Sequence, residues 1–180
     1  IRTILARKER VAINMADGYT RISNGRKIGV AAVQNAAGIE NSFAGVAHAY
    51  ADSVPILLLP AADPHSNIGI FPNFQANRGY SEVTKWAEVL SFANRAPDML
   101  RLAFTYLHMG QRGPVMLEVP REVVEEESGL DSLDYRPVVG ARSAADPRDV
   151  SAAVDVLLAA ERPLINAGQG VHYAEAYDEL

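Results

Sequence analysis

Glu9 is the first residue in this chain whose type and position could do chemistry. It lies where a short β-branched run, Arg2 to Ala6 (RTILA), hands over to a helical period. In open α/β sheets, ligands collect at the carboxyl ends of the strands, where such handovers occur. By helical spacing Glu9 shares a face with Leu5, Ala12, Ile13 and Ala16. Burial there would raise the pKa of its carboxyl, whereas a helix N-terminus would lower it. The spacing leaves both outcomes open, and an exposed ion pair on a surface glutamate is the plainer alternative.

The second candidate is the stretch Gln34 to Asn41, small and polar, between an apolar run and a helical one. A glycine at 38 would let backbone amides approach a ligand, or would simply make a turn. The G-x-G-x-x-G of a dinucleotide site is absent. Gly168-Gln169-Gly170 lacks a third glycine and reads as a tight turn. His48, His65, His108 and His172 show no metal-site spacing, and Ser53 lacks the G-x-S-x-G of a hydrolase. Asp17-Gly18 and Asp52-Ser53 read as turn or boundary markers. Trp86 and the tyrosines read as core or interface groups.

The elements that must position these residues alternate in type. RTILA is a candidate strand. A helix follows from Glu9, with Ala12, Met15, Ala16 and Tyr19 on one face, and fades at Ser23-Asn24-Gly25. Ile28–Val33 is an unbroken apolar run, which predicts a strand buried on both faces of a parallel sheet. A helix over about Glu40–Ala51, a strand at Val54–Leu59, a helix over Pro97–Met109 and a strand at Val115–Val119 continue the alternation. Ala61 to Tyr80 is a long excursion without periodicity, a type of segment that is usually functional or mobile. Alternation predicts an α/β fold, a doubly wound, mainly parallel sheet with helices on both faces.

From 125 to 147 the texture turns acidic and irregular, as in an interdomain linker. A helix from Pro147 through Ala160 and a strand at Pro163–Ala167 then predict the first α/β unit of a second α/β domain. The chain opens at Ile1 without a methionine and ends inside a helical pattern, which reads as an excerpt of a longer polypeptide.

Composition narrows the classes. The formal net charge of −5 lacks the basic face that phosphate binding needs, so nucleic acid is not expected as a partner. With no cysteine there are no disulfides or thiolate–zinc sites, in keeping with a reducing cytoplasm. Val54 to Ala62 is far short of the roughly 20 apolar residues of a membrane helix, so no membrane partner is expected either.

In order, the motifs resemble a known family. Arg7-Lys8-Glu9-Arg10 and Met15-Ala16-Asp17-Gly18-Tyr19-Thr20-Arg21 resemble the R-H-E-x-x-A-x-x-M-A-D-G-Y-A-R of thiamine-diphosphate enzymes. Gly38-Ile39-Glu40-Asn41, with Gly45-Val46-Ala47 and Ala49 to Pro55, is similar to G-P-G-x-x-N…G-x-x-x-A-x-x-D-S-x-P. Phe74-Gln75, Thr84-Lys85 and Gly113-Pro114-Val115…Pro120 resemble the F-Q, T-K and G-P-V-x-x-x-x-P of the same family, in its acetolactate synthase branch.

The resemblance implies a pyrimidine-binding domain over 1–124, incomplete at its N-terminus, a linker over 125–147, and a truncated central domain from 148 to 180. It implies thiamine diphosphate as cofactor, with Glu9 as the catalytic carboxyl bonded to N1′ of the aminopyrimidine. Ala37, Gly38 and Asn41 would line the pyrimidine, and Phe74 and Gln75 would face substrate. The implied activity is decarboxylation of a 2-oxo acid such as pyruvate and joining of the two-carbon unit to a second carbonyl. Simple 2-oxo acid decarboxylation, or a non-catalytic oligomerisation or regulatory role, are the alternatives. The G-D-G…N motif that holds Mg²⁺ and diphosphate is absent from these 180 residues. In the family it belongs to another domain, contributed by a partner subunit, so a homo-oligomer is implied and no catalysis by this piece alone. FAD, bound by some relatives, is left open. Ala36-Ala37 stands where the family has G-P, Lys8 where histidine is frequent, and Ala76 where an acid is common.

Overall fold

Ile56, Leu57 and Leu58 are consecutive and all buried, which a strand permits only when both of its faces are covered. Their strand, β2 (Ile56–Ala62), has parallel partners on either side. On one side runs β1 (Gly29–Val33), with Gly29 opposite Ile56. On the other runs β4 (Val115–Pro120), with Leu57 opposite Val115. A short outer strand, β3 (Trp86–Val89), completes the parallel order β1-β2-β4-β3. The structure, a computed structural model, describes residues 2–129, 135–140 and 143–180.

Both faces of the sheet carry helices. Ile56, Leu58 and Met116 pack with Ile13 of α1 (Glu9–Ile22) and Ile39 and Val46 of α2 (Ala37–Ala51). Leu57 and Val115, pointing the other way, pack with Ala103 and Leu107 of α4 (Ala96–His108). A one-turn helix, α3 (Ala76–Gly79), interrupts the excursion after β2, and α5 (Arg121–Glu125) follows β4 directly. The expected doubly wound, parallel α/β architecture is what forms.

Several local expectations are corrected. Ile28–Val33 is not buried on both faces: β1 is an edge strand, with Val30 half exposed and Ala32 exposed. RTILA forms no strand. Ile4 and Leu5 are exposed and no strand among the described residues pairs with them, and β propensity without a ladder to join decides little. Strand β3 was not anticipated, being only four residues long.

The buried face of α1 is Ile13, Ala16, Asp17 and Thr20, while Met15 and Tyr19 are exposed. The reason lies in its neighbours. A Cβ on Gly29 would fall 2.1 Å from the Ala16 carbonyl oxygen, and one on Gly45 would fall 3.0 Å from Ile13 Cγ2. These two glycines let α1 approach β1 and α2 along that stripe. The backbone N–H of Gly29 donates to Thr20 Oγ1 at 2.8 Å. Asp17, nearly buried, accepts from Arg21 Nε at 2.8 Å, and Arg21 Nη2 reaches Asp52 Oδ2 at 2.8 Å. Asp17 is therefore a mid-helix ion-pair partner rather than a turn marker. Asp52 does sit at a boundary, as the C-cap of α2.

The chain divides into two units, Ile1–Gly140 and Ala141–Leu180. Within the second, α6 (Pro147–Ala159) begins with Asp146 accepting from the Arg148 N–H at 2.9 Å, and α7 is Gln169–Ala174. Pro163–Ala167 forms no strand, because this unit offers it no strand to pair with among the described residues. Of the expected linker, 130–134 and 141–142 lie outside the described residues. No helix among the described residues is long and apolar enough to cross a membrane.

Candidate active site

Glu9 is the first residue of α1, and Lys8 before it is extended. An acid in the first turn faces the unpaired N–H groups and the positive end of the helix dipole. Nδ2 of Asn41 donates to its carboxylate, 2.7 Å from Oε2, and its own backbone N–H also favours the charged form. Together, the backbone bond first, they hold its pKa below the ordinary carboxylate value. The expected shared face with Leu5 does not exist, since Leu5 precedes the helix and is 99% exposed. Glu9 is part-exposed, and the contest between burial and the helix start goes to the helix start.

Asn41 comes from α2. That helix begins at Ala37, earlier than the spacing predicts, so the connection from β1 is only Gln34–Ala36. Ala36 makes the turn at φ 50°, ψ −114°, a backbone region that favours glycine. Ala37 and Asn41 are four residues apart and share a helix face. Gly38 is buried rather than offered to a ligand: a Cβ there would lie 2.3 Å from Gln34 Cγ. Its carbonyl accepts from Ser42 Oγ at 2.9 Å.

Phe74 and Gln75 line a different recess, a cavity of about 40 Å³ at the carboxyl ends of the strands. Ala36 and Ile39 of the α2 start also border it, whereas Glu9 and Asn41 do not. The sequence-derived residues thus fall into two groups flanking the first turn of α2. In the recess Asn35 Nδ2 donates to Asp63 Oδ1 at 2.8 Å. Glu118 of β4 closes the cavity and is 7% exposed. Burial, reinforced by the nearby Asp63, pushes its pKa up to about 7, against the opposing hydrogen bond from the Asn77 N–H. Glu118 and Asp63 escaped the sequence reading. A single acid inside the apolar run Val115–Val119 was the available signal.

The remaining candidates are structural. Histidines 48 and 65 pair with Asp52 (3.6 Å) and Glu122 (2.9 Å) respectively. His108 stacks on Phe104, and His172 Nδ1 contacts the Tyr177 hydroxyl at 2.7 Å. Ser53 Oγ accepts from Gln111 Nε2 at 3.0 Å, and Trp86 stacks on Tyr106 at 5.8 Å. No group of three or more His, Cys, Asp or Glu among the described residues could hold a metal ion.

Residues 1–86, which contain Glu9, Asn41, Phe74 and Gln75, match the family described as thiamine pyrophosphate enzyme, N-terminal TPP binding domain. Over these 86 residues the chain is similar to the N-terminal domain of thiamine pyrophosphate enzymes. A probable acetolactate synthase large subunit of Methanococcus aeolicus is 31% identical over 98% of this chain and 30% of its own length. The glyoxylate carboligase of Escherichia coli O157:H7 is 35% identical over the same shares. The acetolactate synthase large subunit of Haemophilus influenzae is 30% identical over 100% of the chain and 32% of its own length. The chain therefore spans about 30% of the length of these relatives. Within the matched residues, Glu9 at the start of α1 is paired with Asn41 in the second turn of α2.

Proposed function

We propose that this domain supplies the pyrimidine-binding half of a thiamine-diphosphate-dependent carboligase of the acetolactate synthase type. The observation that carries the reading is the 2.7 Å bond between Glu9 and Asn41 at a helix start, within residues that match the family. A carboxylate has about four lone-pair positions, so the bond from Asn41 leaves room for a further donor such as a protonated pyrimidine nitrogen. The residues present therefore fit the cofactor's ring.

When bound, thiamine diphosphate supplies the carbon nucleophile that attacks a 2-oxo acid and the electron sink for its decarboxylation. The chain's part is to place and charge that ring. Glu9 shares a proton with N1′, and Asn41 holds the carboxylate in one orientation. Enclosure of Glu9 by a neighbouring subunit would remove water from it and raise its pKa toward that of a proton-sharing partner. The face of Ala37 and Asn41 lies beside the ring, with Gly38 keeping the turn close. Phe74 and Gln75 face the 2-oxo acid and the second carbonyl compound. Mg²⁺ and the diphosphate are held by another domain, and a homo-oligomer of at least two subunits completes the site. The domain runs to residue 124, with 125–147 leading to a central domain from 148.

The test uses the full-length protein with thiamine diphosphate and Mg²⁺. Pyruvate should yield acetolactate, and Glu9→Gln should lower turnover by roughly a hundred- to ten-thousand-fold with the fold retained. An aldehyde as sole product would make the protein a decarboxylase. Absence of saturable cofactor binding would remove the enzymatic reading altogether.

A further inference from the structure

Gly79 is the last residue of α3, and it is not among the glycines with positive φ. Nothing in its backbone therefore demands glycine, which costs entropy in a helix relative to alanine. The demand comes from a neighbour. A Cβ on Gly79 would lie 3.0 Å from Cζ and 3.3 Å from Cε2 of Phe74, whereas carbon atoms pack best at about 3.5–4.0 Å. The bare backbone of Gly79 is thus the surface on which the Phe74 ring rests. The N–H of the same glycine donates to the Gln75 carbonyl at 3.0 Å, so Gly79 touches both residues of the Phe74–Gln75 pair.

Tyr80 fixes that surface in place. It is buried, its hydroxyl donates to the Ile39 carbonyl, and its ring meets Phe43 of α2 edge-on at 5.2 Å. Its backbone N–H donates to the Ala76 carbonyl at 2.8 Å, and its own carbonyl accepts from Thr84 Oγ1 at 2.8 Å. The end of α3 is thereby tied to α2 and to the segment before β3. Phe74, by contrast, is 38% exposed. If the two are forced apart, the ring moves and the helix end stays.

We propose that Gly79 is a positioning residue: the side chain it lacks gives the Phe74 ring its seat, and seat and N–H together set where Gln75 stands in the recess. The inference rests on the reading of Phe74 and Gln75 as substrate-facing, and names what fixes their geometry. A methyl group at position 79 would drive the ring back by roughly half an ångström and carry the adjoining Gln75 with it. Productive substrate placement is sensitive to displacements of that order.

Kinetics of the full-length protein with thiamine diphosphate and Mg²⁺ test this. Gly79→Ala should raise KM for pyruvate about threefold to tenfold, with kcat moving less. Its thermal midpoint should hold or rise, because alanine is the better helix former. Phe74→Leu lacks the ring atoms that face position 79, so adding Gly79→Ala to it should change KM no further. An unchanged KM in Gly79→Ala would overturn the proposal, as would a rise accompanied by a lower midpoint or effects of the two changes that simply add. A second measurement needs no turnover. In protein labelled with ¹³C-phenylalanine, the Phe74 ring resonance, identified by its loss in Phe74→Leu, should shift in Gly79→Ala while the other phenylalanine signals hold. A Phe74 signal that stays in place would sink this inference. A protein inactive on every 2-oxo acid, with the signal still shifting, would remove the carboligase reading alone.

Discussion

Asn41, in the second turn of α2, reaches across to the first residue of α1 and donates its amide to Glu9 at 2.7 Å. The pair joins residues 32 apart in sequence and sets the orientation of the one carboxylate proposed to touch the cofactor. Asn41→Ala removes that donor without adding bulk. Hydrogen bonds to charged groups are worth enough that turnover of the full-length enzyme should fall roughly tenfold or more. The unfolding midpoint should barely move, since both groups reach solvent. Steady-state kinetics beside a denaturant melt would check this, and unchanged turnover would count against the pair's role.

Ala36 adopts φ 50° and ψ −114°, where a Cβ is crowded and glycine is not. Ala36→Gly should relieve strain of order 1–3 kcal/mol while adding up to about 1 kcal/mol of unfolded-state entropy. The net expectation is a stabilisation of about 1 kcal/mol, visible as a higher urea midpoint. A lower midpoint would mean that the turn is not strained.

Gly29 should be irreplaceable for the opposite reason. A methyl there would lie 2.1 Å from the Ala16 backbone carbonyl oxygen, and could be accommodated only by pushing α1 off β1. Gly29→Ala should cost about 1–3 kcal/mol or more and lengthen the bond from Gly29 N–H to Thr20. Thermal unfolding of the variant measures the loss.

Glu118 makes stability depend on pH with a definite sign. Its carboxyl is raised from 4.5 to about 7 in the fold, so the folded state prefers the protonated form more strongly than the unfolded chain does. Stability should therefore decline as pH rises from about 4.5 to about 7 and level off above that. Glu118→Gln should abolish this slope. Relative to wild type it should be about equal near pH 5 and more stable by about 1–3 kcal/mol at pH 8. Denaturant titrations at the two pH values decide the matter, and an equal difference at both would refute the assignment.

What the residues determine by themselves is the alternation of elements and the order of motifs. Runs such as Ile56–Leu59 and Val115–Leu117 are apolar at every position, which only a sheet covered on both faces can bury. The helical periods of α1, α2, α4 and α6 are long enough to read directly. Only the tertiary structure decided which stripe of α1 turns inward, because Gly29 and Gly45 on other elements open the space for Ile13 and Ala16. It also decided that Ile28–Val33 lies at an edge and that RTILA and Pro163–Ala167 have no ladder to join, since strand pairing is a property of neighbours rather than of a segment. Glu9 was legible from its place before a helix, but its charge state was not. That depended on Asn41, brought to it from α2. Glu118 went unread because its meaning lies in Asp63 and Asn77, which only folding sets beside it.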